Sequence, residues 1–149
     1  MIKLIRLDSP TADLLTLVKE LDQGLAITDG SEHQFYNQYN GLEGITHFII
    51  AYQETRPIGC GAFKEFASKT IEVKRMYTNP EYRGKGVATS ILAALEEWAN
   101  EEGFCFSVLE TGKRQHEAIK LYQKNGYTLI KNYGQYANAT NSLCFKKDI

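Results

Sequence analysis

The sequence predicts a mixed α/β fold of α+β character, one domain over residues 1–149, built as a sheet covered by helices. Three observations carry this. Three successive strand-like segments between about residues 46 and 78 read as an antiparallel meander. A long apolar stripe at helical spacing follows Gly86. Strand and helix patterns then alternate to the last residue, for an element order β-α-α-β-β-β-α-β-α-β-β.

The elements follow in chain order. Residues 2–7 alternate as a first strand. Ser9-Pro10-Thr11 is a helix-start signal, a hydroxyl cap with proline early in the first turn, and Leu14, Leu15, Leu17, Val18 and Leu21 form the apolar stripe behind it. Ser31-Glu32 opens a second, short helix through about Tyr39, and residues 40–44 make a loop. The meander consists of a strand at about 46–53, the turn at Glu54-Thr55-Arg56-Pro57, a strand from Ile58 to about Phe66, and a strand at 70–78. In this third strand Ile71, Val73 and Arg75 alternate against Glu72, Lys74 and Met76. Asn79-Pro80 ends it. The long helix carries Val87, Ala88, Ile91, Leu92, Leu95, Trp98 and Ala99, and Gly103 stops it. Residues 104–110 form a strand, and Ala118, Ile119, Leu121 and Tyr122 the face of a helix that ends at Asn125-Gly126. Two closing strands begin near Tyr127 and Ser142.

Bulk properties exclude several classes. A chain of 149 residues, 43% hydrophobic and 23% charged, can bury a sizeable core and is not disordered. A formal net charge of -1 asks for neither nucleic acid nor an anionic membrane. No apolar run approaches the roughly 20 residues that span a bilayer. The N-terminus reads as a strand, not a signal peptide. Cys60, Cys105 and Cys144 are an odd, scattered set without disulfide or zinc spacing. All three lie in apolar strand-like segments and read as buried thiols, which points to the cytoplasm. The sequon at Asn138 reads as chance without a secretion signal, and His33 and His47 lack metal-ligand spacing. No metal is expected.

The residues between the third meander strand and the long helix carry the chemistry. Arg83-Gly84-Lys85-Gly86-Val87-Ala88 combines two cations, two glycines and a helix start. Unpaired helix N–H groups, a partial positive charge and backbone without side chains make a cradle for phosphate. The run matches neither a Walker A loop nor a dinucleotide fingerprint. It resembles the [Q/R]-x-x-G-x-[G/A] pyrophosphate loop of the GCN5-related N-acetyltransferase (GNAT) superfamily. The flanking run at residues 73–88 resembles that family's central strand entering this loop. Residues 117–127, with Ala118, Leu121-Tyr122 and Gly126-Tyr127, resemble its late helix.

The resemblance implies the GNAT fold, a mostly antiparallel central sheet of six to seven strands flanked by about four helices, and transfer of acetyl from acetyl-CoA to an amine. It implies that amides of Gly84, Gly86, Val87 and Ala88 hold the pyrophosphate, with Arg83 and Lys85 either helping or turned to solvent. Backbone near Met76 and Thr78 would hold the pantetheine arm in a slot where the third meander strand splays from its neighbour. Gln115 stands where many relatives have an asparagine that contacts the cofactor. Direct aminolysis needs a neutral amine, a donor to the oxyanion and a proton for the departing thiolate. Tyr122 matches the family's proton donor, although its spacing alone also fits a core tyrosine; Tyr127 and Tyr77 read as packing residues. Glu72 is the candidate base, with a solvated charge or a partner of Lys74 or Arg75 as the plainer reading. Glu110 is a second carboxylate near the same cleft, and repulsion between the two would raise a pKa. His116 reads as a surface residue.

The acceptor is expected between residues 24–44, with Asp29, Glu32, His33, Phe35, Tyr36 and Tyr39, and the tyrosines of 132–145. Aromatic rings and acids suit a cationic amine, whether small or on a protein. The plainer reading packs the rings, Phe35 in particular, on the sheet. The resemblance also allows a homodimer through late strands. The rival to an acetyltransferase is a non-catalytic acyl-CoA-binding regulatory module, which would need neither Tyr122 nor Glu72.

Overall fold

The computed structural model describes residues 1–149. Its strands are β1 (Ile2–Leu7), β2 (His47–Gln53), β3 (Arg56–Ala67), β4 (Thr70–Thr78), β5 (Phe106–Gly112), β6 (Thr128–Ile130) and β7 (Ser142–Asp148). Its α-helices are α1 (Ala12–Asp29), α2 (His33–Asn37), α3 (Val87–Glu101) and α4 (His116–Lys124). All seven strands form one sheet in the order β1-β2-β3-β4-β5-β7-β6. Only β4 and β5 run parallel; the other neighbours are antiparallel. No helix is long and apolar enough to cross a membrane.

Each helix starts or stops for a local reason. Thr11, not Ser9, caps α1, accepting from the Leu14 amide at 3.3 Å, so Pro10 precedes the cap instead of sitting in the first turn. Leu14, Leu17 and Val18 bury against the sheet, whereas Leu15 is half exposed and lies off the stripe. A short 3-10 turn at Gly30–Glu32 separates α1 from α2. Tyr36 is the buried ring of α2, and Phe35 stays 37% exposed, edge-on to Tyr36 and Tyr39, so it does not pack on the sheet as expected.

The core has two layers. On one face of the sheet α3 packs Val87, Ile91, Leu92, Leu95 and Ala99 against β2, β3 and β4. On the other, α1 packs Leu14, Leu17 and Val18 against Phe48, Ile50, Cys60 and Ala62. Gly59 and Gly61 of β3 let α3 approach closely. A Cβ at Gly59 would lie 2.9 Å from the Tyr77 carbonyl, and one at Gly61 2.8 Å from the Ile91 side chain.

Two further expectations fail. Cys105 is exposed, because β5 begins at Phe106 and Cys105 falls in the turn after Gly103; Cys60 and Cys144 are buried as expected. The alternation of β4 also breaks. Gly61 faces both Arg75 and Met76 between the Cys60↔Tyr77 and Ala62↔Lys74 pairs, a β-bulge with Arg75 at φ 59. The extra residue turns Met76 to the α3 face, in phase with Ile71 and Val73, and gives Arg75 to Asp22 on α1 at 2.5 Å.

Candidate active site

The site forms because β4 and β5 part. Their parallel pairing runs only from Thr70↔Phe106 to Glu72↔Val108. Beyond Glu72 the two strands separate, and a cavity of about 140 Å³ opens between them. Val73 and Met76 of β4, Glu110 and Thr111 of β5, and Ala118 and Tyr122 of α4 line it, and α1 closes it with Leu21, Leu25 and Asp29. A slot at a β4–β5 splay is what the sequence comparison implied, and the bulge at Arg75 lies on its edge.

The loop ahead of α3 is shaped for an anion. Gly84 and Gly86 take left-handed backbone, φ 78 and 82, with nothing within 4 Å of a would-be Cβ on either. Gly86 is the N-cap of α3. The amides of Gly84, Lys85, Gly86, Val87, Ala88 and Thr89 donate to no carbonyl of the protein; the first α3 amide in a backbone bond is Ser90, to the Gly86 carbonyl. This row of free donors at a helix start fits a pyrophosphate. The cations have other duties. Arg83 donates to the Thr78 carbonyl at 2.9 Å and lies over the Tyr77 ring, and the Lys85 ammonium sits 5.4 Å from the Tyr82 ring centre.

Between loop and slot, unsatisfied polar atoms mark a path. Thr78 is buried with its hydroxyl unpartnered. Gln115, at the N-cap of α4, lines the slot with a buried amide nitrogen that finds no acceptor. Such orphans cost free energy unless a ligand satisfies them, so both suit a molecule with carbonyl and amide groups.

Tyr122 separates from the other tyrosines by its hydroxyl. It is 6% exposed, lines the slot and has no hydrogen-bond partner. Tyr127 donates to Glu96 at 2.9 Å and Tyr77 to Glu20 at 2.9 Å, so both hydroxyls are committed. Burial, with help from Glu110, pushes the Tyr122 phenol above its ordinary pKa and keeps it protonated.

The two carboxylates occupy different surroundings. Glu72 is 3% exposed, accepts from the Tyr133 hydroxyl at 2.7 Å and has the Lys74 ammonium at 3.8 Å. It stands where β4 and β5 are still paired and does not line the slot. Glu110 does. The Ser142 hydroxyl donates to it at 2.7 Å, and the Tyr36 hydroxyl donates in turn to Ser142 at 3.0 Å. Burial pushes the Glu110 carboxyl up to about 7, while Ser142 and Lys74 hold it down. Ser142 escaped sequence analysis. It reaches Glu110 through the β5–β7 pairing, which no local pattern signals. His116 is exposed, as expected.

A family model described as "Acetyltransferase (GNAT) family" matches residues 15–127. The chain belongs to this family. It is therefore an acyltransferase, and members of the GNAT family acetylate amines. The chain is 30% identical over 145 residues to the IAA acetyltransferase of Azospirillum brasilense, with 95% of each covered. Among solved structures it resembles a Klebsiella pneumoniae protein assigned to the acyl-CoA N-acyltransferases, with TM-score 0.83, 27% identity, and coverage of 99% and 97%. The PaiA N-acetyltransferase of Thermoplasma acidophilum, solved with coenzyme A, shares the fold with TM-score 0.73 at 19% identity and 99% coverage of both chains. The GNAT fold accounts for the element order, the splayed β4–β5 pair and the placement of the loop at the start of α3.

The loop assignment has a direct test. Valine at Gly86 would also strain the left-handed backbone, so asparagine, which tolerates that conformation, is the cleaner probe. Gly86→Asn is expected to weaken coenzyme A binding by tenfold or more, by about the worth of lost charge-assisted hydrogen bonds. Calorimetry checks affinity, and an unchanged dissociation constant removes the loop from the site.

Proposed function

We propose that this GNAT protein moves the acetyl group of acetyl-CoA to a primary amine by direct attack in a ternary complex. The observation that carries the reading is the slot itself. It holds an unpartnered phenol and a carboxylate of near-neutral pKa, Tyr122 and Glu110, beyond a loop of free amides. Amides of Gly84, Gly86, Val87 and Ala88 hold the pyrophosphate. Met76, Thr78 and Gln115 border the pantetheine path, and Arg83 and Lys85 contribute long-range charge. Acetyl-CoA supplies an activated acyl group on a thiol leaving group.

The protein's own residues then move protons. Glu110 accepts a proton from the incoming ammonium, directly or through water, and frees the nitrogen lone pair. The C–N bond forms and the C–S bond breaks; Tyr122 donates to the departing sulfur and regains its proton from the new amide nitrogen, and Glu110 returns its proton to solvent. Glu110 replaces Glu72 as the proposed base because Glu72 already accepts from Tyr133, neighbours Lys74 and lies off the slot. In this reading Glu72 orders the Tyr133 segment against β4. Purified protein supplied with acetyl-CoA and a panel of primary amines is expected to release free thiol with at least one amine, with acetylated amine formed in equal amount. Coenzyme A binding without turnover on any amine would reduce the protein to a binding module.

A further inference from the structure

The far wall of the slot carries a carboxylate to which the proposed chemistry gives no role. Leu21, Leu25 and Asp29 lie four residues apart along α1 and all line the cavity, so one helix face offers two aliphatic side chains and then an acid. The Asp29 side chain is 11% exposed and accepts no hydrogen bond. The His33 imidazole lies 3.9 Å away, and its Nδ1 is buried without a hydrogen-bond partner. A nearly buried carboxylate without donors is costly unless a ligand supplies them.

No lysine or arginine side chain bonds the Asp29 carboxylate directly. Arg114 donates to the backbone carbonyls of Thr28 and Asp29 and lies 3.7 Å from Glu32, not on the Asp29 carboxylate. Lys74 is engaged by the Tyr39 carbonyl and Glu72, and Arg75 by Asp22. Asp29 also ends α1, whose last turn has no basic residue, so the negative end of the helix dipole adds to the site's preference for a cation. Burial raises the pKa of Asp29 against the opposing pull of His33 and Arg114, and the negative charge of Asp29 helps to raise that of Glu110.

We propose that Asp29 is a second subsite that binds the distal ammonium of a short aliphatic diamine, whose near nitrogen lies at Glu110 and whose methylenes lie along Leu21 and Leu25. This rests on the acetyl-transfer reading for the role of Glu110. The aliphatic stretch between the two acids is short, which suits a compact diamine. An amino acid is disfavoured, since its carboxylate would meet Asp29 or need Lys74 and Arg75 to give up their partners.

Putrescine, n-butylamine and γ-aminobutyrate separate the cases, because they share one chain length and differ in the distal group. Calorimetry on protein loaded with coenzyme A is expected to show putrescine binding tenfold or more tighter than n-butylamine, and γ-aminobutyrate weakest. Asp29→Asn is expected to bring the putrescine-to-butylamine ratio close to one, both in binding and in kcat/KM. Equal binding of the two amines, no binding of either, a preference for γ-aminobutyrate, or a ratio untouched in Asp29→Asn overturns the subsite. Turnover of any amine in those cases leaves the acetyl-transfer reading standing. A putrescine preference that depends on Asp29 without any turnover supports the subsite and removes the acetyl-transfer reading instead.

Discussion

Replacing Tyr122 with phenylalanine is expected to lower kcat by about 10²- to 10³-fold, the range for loss of a positioned general acid. The KM for acetyl-CoA should stay within about twofold, because the ring that packs beside Tyr127 and Phe145 is retained and only the hydroxyl is lost. That hydroxyl has no partner in the protein, so the variant should keep its thermal stability, within the roughly 0.5 kcal/mol typical of changes that break no contact. This pairing of large kinetic loss with intact stability distinguishes a proton donor from a packing residue. Tyr127→Phe makes the contrast. It strips a hydroxyl that bridges Ser107 and Glu96 in the core, so it should lower stability and spare kcat. A Tyr122→Phe enzyme with normal kcat removes the proposed acid.

The second large effect belongs to Glu110. With its carboxyl at about 7, the base form appears as pH rises through neutrality, so kcat/KM should climb and bend near that value. The acceptor must arrive as its ammonium for Glu110 to act, so the profile should fall again as pH passes the free amine's own pKa. Glu110→Gln should lose the bend near 7, rise only with the neutral fraction of the amine, and fall about 10²-fold or more at its plateau. Ser142→Ala should move the bend upward, since its hydroxyl stabilises the charged carboxylate. Stability follows the same proton. The folded-state pKa lies above the ordinary carboxyl value of 4.5, so the protonated carboxyl contributes stability fully below about 4.5. That contribution is lost as pH rises through about 7. Glu110→Gln should therefore show a flatter dependence of Tm on pH across this window. A pH profile unchanged in Glu110→Gln would return the base role to Glu72 or to a water relay.

Much of the fold was legible because its signals are local. The seven strands and four α-helices follow the predicted order, since alternation, helical stripes, the Ser9-Pro10-Thr11 start signal and Gly103 act within a few residues of one another. The misreadings have physical causes. Strict alternation through residues 70–78 cannot anticipate a bulge, because what favours one at Arg75 is the demand of Gly61 and α3 on the neighbouring strand. Cys105 was misplaced by two residues of strand boundary, which was enough to move a thiol from core to surface.

By itself the sequence determined the glycine loop with its free amides, the long helix behind it and the place of Tyr122 on α4. Each depends on contiguous residues whose backbone preferences and amide directions are set by near neighbours. Only the tertiary structure decided which acid faces the slot. Glu72 and Glu110 look alike in their strands, but Tyr133 lies 61 residues from one and Ser142 32 from the other. Asp29 joins them only because α1 folds across the opening. Ionisation depends on which polar groups lose water and which donors replace it, and that is set by packing between distant segments.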